Sequence, residues 1–419
     1  MSRVCIQIQA ILTTGTASAP DWIFTMAPSM EMRSSTQIFS GKFDFDLGTK
    51  VLFGAGRIDE LGDLAKRHGY RRALITSDPG IVKAGHVQRG VDSLKKAGLE
   101  FALFEEAHEN PTTEDVAAGL EVAKDFQPDL LIGLGGGSSM DCAKGINFLH
   151  TNGGQVQDYW GVGKAEKPML PFIAVPTTAG TGSELQSFAL ISDAKTHAKM
   201  ACGDKKAAAF CAILDPSLTL TQPSSVTALT GVDAISHAVE TLVTTRRTPV
   251  SMMFSRQSFQ WLAQSFHRVI SEPENLEARG CVQFAASLAG LAIENSMLGA
   301  AHALANPLTA NYDVPHGQAV GVMLPYVVRF NARSVGASYS ELENFFSQDT
   351  GGPQPGDQLS AWIQQTLREA GLVTRLHELG IPAGRLPQLA VEANQQWTKR
   401  FNPVEVGESE LFSLYQEAF

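Results

Sequence analysis

The chain has 419 residues, 44% of them apolar and 18% charged, an ordinary globular composition with enough apolar content for two or three domain cores. With 43 acidic against 33 basic residues, its net charge of −10 leaves no basic stripe to neutralise phosphates and excludes nucleic acid as a partner. No uninterrupted apolar run reaches about 18 residues, which excludes a membrane-spanning helix, and five scattered cysteines (Cys5, Cys142, Cys202, Cys211, Cys281) without a CxxC pair predict free thiols in a reducing compartment, the cytoplasm.

Residues 1–40 are rich in Ser, Thr and Met, with Asp21 and Glu31 as their acidic residues. They can be read as a weak signal or transit peptide, but the apolar stretch is short and polar residues interrupt it. A disordered extension is expected, or an upstream start with Met26, Met30 or Met32 opening the working protein. From Phe43, FDFDLGTKVLFGAG alternates short apolar runs and predicts an opening strand pair or hairpin. A helix over 58–68 follows, then RRALITSD as a buried parallel strand ending in an Asp78-Pro79-Gly80 turn. Further on come a helix over 87–97, the strand LEFALFEEA, and a helix over 113–126 with Thr113 as its N-cap. DLLIGLGGGSSMDCAKGINFL reads as strand, glycine turn and helix, and PFIAVPTTAGTGSE as a strand ending in hydroxyls and glycines. This alternation predicts a mostly parallel, Rossmann-like α/β domain over 41–222. Beyond Pro223 the apolar period lengthens to that of helices. An all-α domain is expected over 223–419, broken at Pro249, Pro273, Pro307, Pro315, Pro325, Pro353 and Pro382.

Two words in that second half carry chemistry. In GVDAISHAVE, Asp233 and His237 stand four residues apart, on one helical face. In GAAHALANPLTANYDVPHGQAVGVML, His302 lies in a helical run, and His316 follows a Tyr-Asp-Val-Pro turn at a helix start. Singly, each histidine reads as a satisfied core residue, and Asp233 as a helix-start carboxylate. Together, one carboxylate and three imidazoles suit a divalent first-row metal, provided the helices converge. No cysteine lies near them, which argues against a structural thiolate zinc site.

With GVDAISHAVE, AAHALANPL and PHGQAVGVMLP, and GGGSSMDCAK and PTTAGTGSE upstream, the sequence resembles the iron-containing (group III) alcohol dehydrogenases from about Phe43 to its end. The resemblance implies an α/β dinucleotide-binding domain followed by a helical metal domain, an architecture shared with dehydroquinate synthase. It also implies that Asp233, His237, His302 and His316 bind one catalytic metal. Many members carry a second histidine where this chain has Asn306, a substrate-pocket position, so a proton relay through that imidazole is in doubt. Ligand type accommodates Fe2+ and Zn2+ alike. The absence of thiolates and the resemblance favour Fe2+, with Zn2+ as the alternative.

The turn Gly135-Gly136-Gly137-Ser138 before a helix suits a diphosphate, because glycines admit the backbone and the helix start offers N–H groups. A plain tight turn reads equally well, and no GxGxxG fingerprint is present. Asp78 either accepts from a ribose 2′-OH, favouring NAD over NADP, or simply forms its Asp-Pro-Gly turn. The resemblance implies that Gly135 to Ser138 with Asp141 line a pyrophosphate and that Asn110 lies beside adenine. It places Thr177, Thr178, Thr181 and Ser183 on phosphate and nicotinamide, Lys199 near a ribose, and Leu218 and Thr219 over adenine. For Lys199, a solvated surface lysine is an equal reading.

The reaction implied is hydride exchange between NAD and a small primary alcohol or diol, by a homodimer or larger homo-oligomer. Alternatives on the same fold are a dehydroquinate-forming lyase and a metal-free keto-acid reductase. The first needs a basic cluster to grip phosphate and carboxylate, which the small, apolar metal words lack. The second is expected to have lost part of the quartet.

Overall fold

The computed structural model describes residues 42–45, 47–196, 198–347 and 354–419. The extension expected at 1–40 and the break expected at Pro353 lie outside the described residues. The first half runs β1 (Lys50–Phe53), α1 (Leu61–Arg67), β2 (Arg72–Thr76), α2 (Pro79–Lys83), α3 (His86–Ala97), β3 (Glu100–Phe104) and α4 (Thr113–Phe126). It continues with β4 (Leu130–Gly135), α5 (Gly137–Asn152), β5 (Gly161–Val162), β6 (Phe172–Pro176), β7 (Phe188–Ser192), β8 (Lys199–Gly203) and β9 (Cys211–Leu214). Strands β4 and β6 are buried at every position and read as continuous apolar runs, as strands covered on both faces must.

Six strands pair in parallel in the order β1-β9-β6-β4-β2-β3. Residues of α1 and α3 (Leu61, Leu64, Val87, Val91) pack on one face of this sheet, and residues of α4 and α5 (Val116, Ala123, Met140, Ile146) on the other. Chain order reverses at β2, which has β3 on one side and β4 on the other. The crevice beyond the carboxyl ends of β2 and β4 is therefore the switch point where open α/β sheets receive ligands. Asp78 and the glycine turn flank it.

From Ser224 onward every described element is helical: α6 (Ser224–Val243), α7 (Pro249–Ser271), α8 (Leu276–Glu294), α9 (Ala300–Tyr312), α10 (His316–Glu343), α11 (Asp357–Glu369), α12 (Leu386–Asn394) and α13 (Glu408–Ala418), with short 3-10 turns between them. The central helices α6, α8, α9 and the first half of α10 are apolar nearly all round, hence buried.

The loop after β6 fastens this helical layer to the sheet. Gly182, at φ +62°, meets Gly290 of α8 so closely that a Cβ on Gly290 would stand 2.3 Å from the Gly182 carbonyl oxygen. The Ser287 hydroxyl donates to Glu184, the Gln283 amide donates to the Pro176 carbonyl (3.2 Å), and Glu294 accepts from the Ser187 N–H (3.0 Å).

Several expectations need correction. The opening hairpin does not form: Lys50–Phe53 is the one strand there and pairs with β9 in parallel, while Phe45 packs on Phe254 at 5.9 Å. A distant partner, not the adjacent run, satisfies that edge. The N-cap of α4 is Thr112, whose hydroxyl accepts from the N–H groups of Glu114 and Asp115. Pro307 and Pro325 lie inside α9 and α10 instead of ending them. Both are buried, and packing around these helices outweighs one lost backbone hydrogen bond. The three-stranded sheet β5-β8-β7 was not anticipated. Gly290→Ala is expected to lower stability by about 1–3 kcal/mol through overpacking against Gly182; an unchanged melting temperature in calorimetry would show that this contact is slack.

Candidate metal and cofactor site

Helix α6 supplies the first half of the site. Asp233 and His237 lie one turn apart on its buried face, with Asp233 Oδ1 3.3 Å from His237 Nε2. His302, in the first turn of α9, brings Nε2 to 3.7 Å from the same oxygen, and His316, the first residue of α10, brings Nε2 to 3.8 Å. Asp233, His237 and His302 each offer a ligand atom within 4.8 Å of the others. The His237 and His302 rings stack at 5.0 Å between centroids, 19° apart. The side chain of His316 is 26% exposed against 5–6% for the rest, so it marks the open side.

Buried polar atoms are normally hydrogen-bonded. Here Asp233 Oδ1 and His302 Nε2 are buried and have no hydrogen-bond partner. A divalent cation would satisfy both, and hard carboxylate oxygen with imidazole nitrogen suits Fe2+ or Zn2+. The donor set thus fits the metal expected from the sequence.

Electrostatics agree. Burial alone would raise the Asp233 carboxyl, yet His237, His302 and His316 around it hold it well below the usual carboxylate range. Burial lowers His237, and takes His316 down to about 3 with the help of Lys199, so both present lone pairs at neutral pH. His302 differs: burial works against its charge, but Glu240 and Asp233 push it up to about 9. It would have to give up a proton for Nε2 to ligate a cation.

Glu240 was not singled out in the sequence. It lies on α6 one turn beyond His237, accepts from His302 Nδ1 at 2.5 Å, and is 4% exposed. The signal was legible, since the D-x3-H-x2-E spacing lines one helical face.

The cofactor side gathers at the switch point. Gly135 has φ +157°, and a Cβ on it would stand 2.3 Å from Ser139 Oγ. Thr178 and Thr181 cover Gly136 and Gly137, where added Cβ atoms would meet them at 3.5 and 2.8 Å. Helix α5 starts without a side-chain cap, which leaves its first N–H groups for an anion. The Thr177 hydroxyl is buried and unpartnered. Ser138 Oγ accepts from the Asn110 N–H at 3.2 Å, and Lys199 Nζ donates to Asn110 Oδ1 at 3.2 Å. Asn110 holds φ +53°, a conformation asparagine tolerates. Lys199 is half-buried, and burial lowers it while Asp141, Asp233 and Glu109 oppose that.

Other expected residues also hold structural contacts. Asp141 faces the 181–190 loop: it accepts from Ser183 Oγ (2.6 Å) and the Leu190 N–H (3.2 Å). Beneath it Lys144, 1% exposed, donates to the Ser183 hydroxyl and to the carbonyls of Ser183, Gln186 and Phe188. Leu218 and Thr219 are fully buried, with the Thr219 hydroxyl on the Pro216 carbonyl. Asp78 N-caps α2 through the N–H groups of Gly80 and Ile81 and accepts from Ser139 Oγ at 3.0 Å. Its turn-forming role is visible in these bonds, and its carboxylate still faces the crevice beside Gly135. Asn306 follows His302 by one turn and is the one residue between Ala300 and Leu308 that is not buried. Its amide donates to Gln396 Oε1 at 2.9 Å.

Comparison with known proteins gives one answer. Residues 48–216 match the family described as iron-containing alcohol dehydrogenase, and residues 227–419 match its C-terminal domain. The 1,3-propanediol dehydrogenase of Citrobacter freundii is 32% identical over 382 residues, covering 90% of this chain and 99% of that protein. A crystal structure of a 1,3-propanediol oxidoreductase superposes with a TM-score of 0.88 at 31% identity, over 90% of this chain and all of the other. The sulfoacetaldehyde reductase of Bifidobacterium kashiwanohense, solved with NAD+, gives 0.82 at 27% identity, over 90% and 99%.

His302→Ala is expected to strip most of the metal and reduce turnover to background with the fold intact; elemental analysis beside circular dichroism checks this, and unchanged turnover refutes a role for His302.

Proposed function

Because the chain belongs to the iron-containing alcohol dehydrogenase family, we propose that it exchanges a hydride between a small primary alcohol or diol and NAD at one divalent metal centre, Fe2+ with Zn2+ as the alternative. The observation that carries this reading is the unpartnered pair Asp233 Oδ1 and His302 Nε2, 3.7 Å apart and ringed by His237 and His316. When bound, the cation supplies Lewis acidity to a substrate oxygen, and NAD supplies the hydride acceptor. Asp233, His237, His302 and His316 hold the ion. Their combined charge is one negative unit when the imidazoles are neutral, which leaves the centre net positive.

The α5 start, from Gly135 to Ser138 with Thr178 and Thr181, receives the pyrophosphate. Asn110 lies on the adenine side and Lys199 near the ribose, and Asp78 repels a 2′-phosphate. Asp141 and Lys144 hold the Ser183 loop in shape. Asn306 and Gln396 form the polar wall of the substrate pocket, on the side where α9 opens beside His302. Asparagine carries no titratable proton, so this wall hydrogen-bonds substrate and relays nothing.

The finer expectations follow the same reading. A homo-oligomer is supported by the edge strand β1 and its exposed apolar neighbours Phe43, Leu47 and Phe53. Cytoplasmic residence is supported by the free thiols of Cys142, Cys202, Cys211 and Cys281. No helix among the described residues is long and apolar enough to cross a membrane.

Protein purified without chelator should carry stoichiometric iron or zinc and form NADH with primary alcohols or 1,3-propanediol; metal-free protein that turns over none of them would end the proposal. Asp78→Ser keeps an N-cap oxygen but removes the charge, and should shift the NADP-to-NAD ratio of kcat/KM about tenfold towards NADP, roughly 1.4 kcal/mol. An unaltered ratio assigns Asp78 to its turn alone. Asn306→Leu should cost 1,3-propanediol about fivefold more in kcat/KM than 1-propanol, the worth of one hydrogen bond; equal losses would place Asn306 outside the pocket.

A further inference from the structure

Glu240 is a buried carboxylate that the proposed reaction does not use. Its Oε2 accepts from His302 Nδ1 at 2.5 Å, and its Oε1 accepts from the Ala301 N–H at 2.7 Å, at the start of α9. Gly299 makes room for this: a Cβ there would stand 3.0 Å from Oε1. Among the described residues no lysine or arginine pairs with Glu240. Burying a carboxylate is costly unless it is paired, and the partners here are the His302 ring and the Ala301 N–H. If the task were only to satisfy one N–H at a helix start, a neutral Ser, Thr or Asn would do it more cheaply. The second bond, to the imidazole, is the one that calls for a negative charge.

We propose that Glu240 is the positioning carboxylate of the metal centre: by accepting the Nδ1 proton of His302 it fixes that ring's plane and tautomer, so that the Nε2 lone pair faces Asp233 Oδ1. An imidazole with its proton on Nδ1 has its lone pair on Nε2, and swapping the tautomer turns a ligand into a donor. The carboxylate also makes the imidazole more basic and thus a stronger ligand. Because Oε1 ties down the start of α9 at the same time, one side chain sets both the position of the His302 backbone and the orientation of its ring. Asp233, His237 and Glu240 then share one face of α6 with two tasks: the first two ligate, and the third aims a ligand borne by another helix.

This inference rests on the reading of the quartet as a metal site, and the test separates the two. Glu240→Gln keeps the shape and the Ala301 bond but offers an N–H donor to His302 Nδ1, which favours the wrong tautomer. Glu240→Ala removes both bonds. In each variant, Zn2+ affinity is measured by competition with a chromophoric chelator, and NADH affinity by fluorescence titration as a check on the other half of the molecule. The proposal expects Glu240→Gln to weaken Zn2+ about 10–100-fold, at least as much as Glu240→Ala, with NADH binding within about twofold. A second readout needs no variant: 15N shifts of His302 in the zinc-loaded protein should show a protonated Nδ1 and an unprotonated Nε2. Near-parent Zn2+ affinity in Glu240→Gln beside a loss in Glu240→Ala would make Glu240 an anchor for α9 only and overturn the proposal. Parent protein that takes up no Zn2+ would instead sink the metal reading beneath it.

Discussion

The site depends on one buried negative charge that has no protein donor of its own. Asp233 stands on α6 with three imidazoles around it, and its Oδ1 is left without a hydrogen bond. The imidazoles favour its charge, and the oxygen they surround is the one a divalent cation would complete. Everything near it serves that demand. Helix α6 is apolar enough to be buried, α9 begins where His302 must stand, and α10 begins on His316. Helix starts are used twice because they fix a side chain's origin tightly while leaving its tip free to turn inward.

The same economy appears at the sheet. The switch point beside β2 and β4 exists because the chain crosses β2 between β3 and β4, and the glycine turn merely lines what the topology already provides. Asp141 and Lys144 then brace the hydroxyl loop from beneath. Lys144 Nζ lies within hydrogen-bond distance of four acceptors in that loop, so its position is fixed from several sides.

Much of this was legible in the sequence. The four-residue spacing of Asp233 and His237 means one helical face whatever the fold, and the unbroken apolar runs of β2 and β4 mean burial on both sides. What escaped needed tertiary knowledge. Phe188–Ser192 and Lys199–Gly203 are five-residue runs that pair with each other across a turn shaped by Asp193, whose Oδ1 accepts from the N–H groups of Lys195 and Thr196. Pro307 looked like a helix break because its local cost is fixed, whereas the packing that outweighs it is invisible along the chain. The partner of Asn306, Gln396, lies 90 residues away and carries no mark of its own.

The near-contact of Gly182 with Gly290 has a kinematic meaning. Two backbones with no side chain between them cannot slide apart without opening a void, nor press closer without a clash. The crevice between sheet and helices is therefore pinned at that point, and its width beside the hydroxyl loop is set by backbone against backbone.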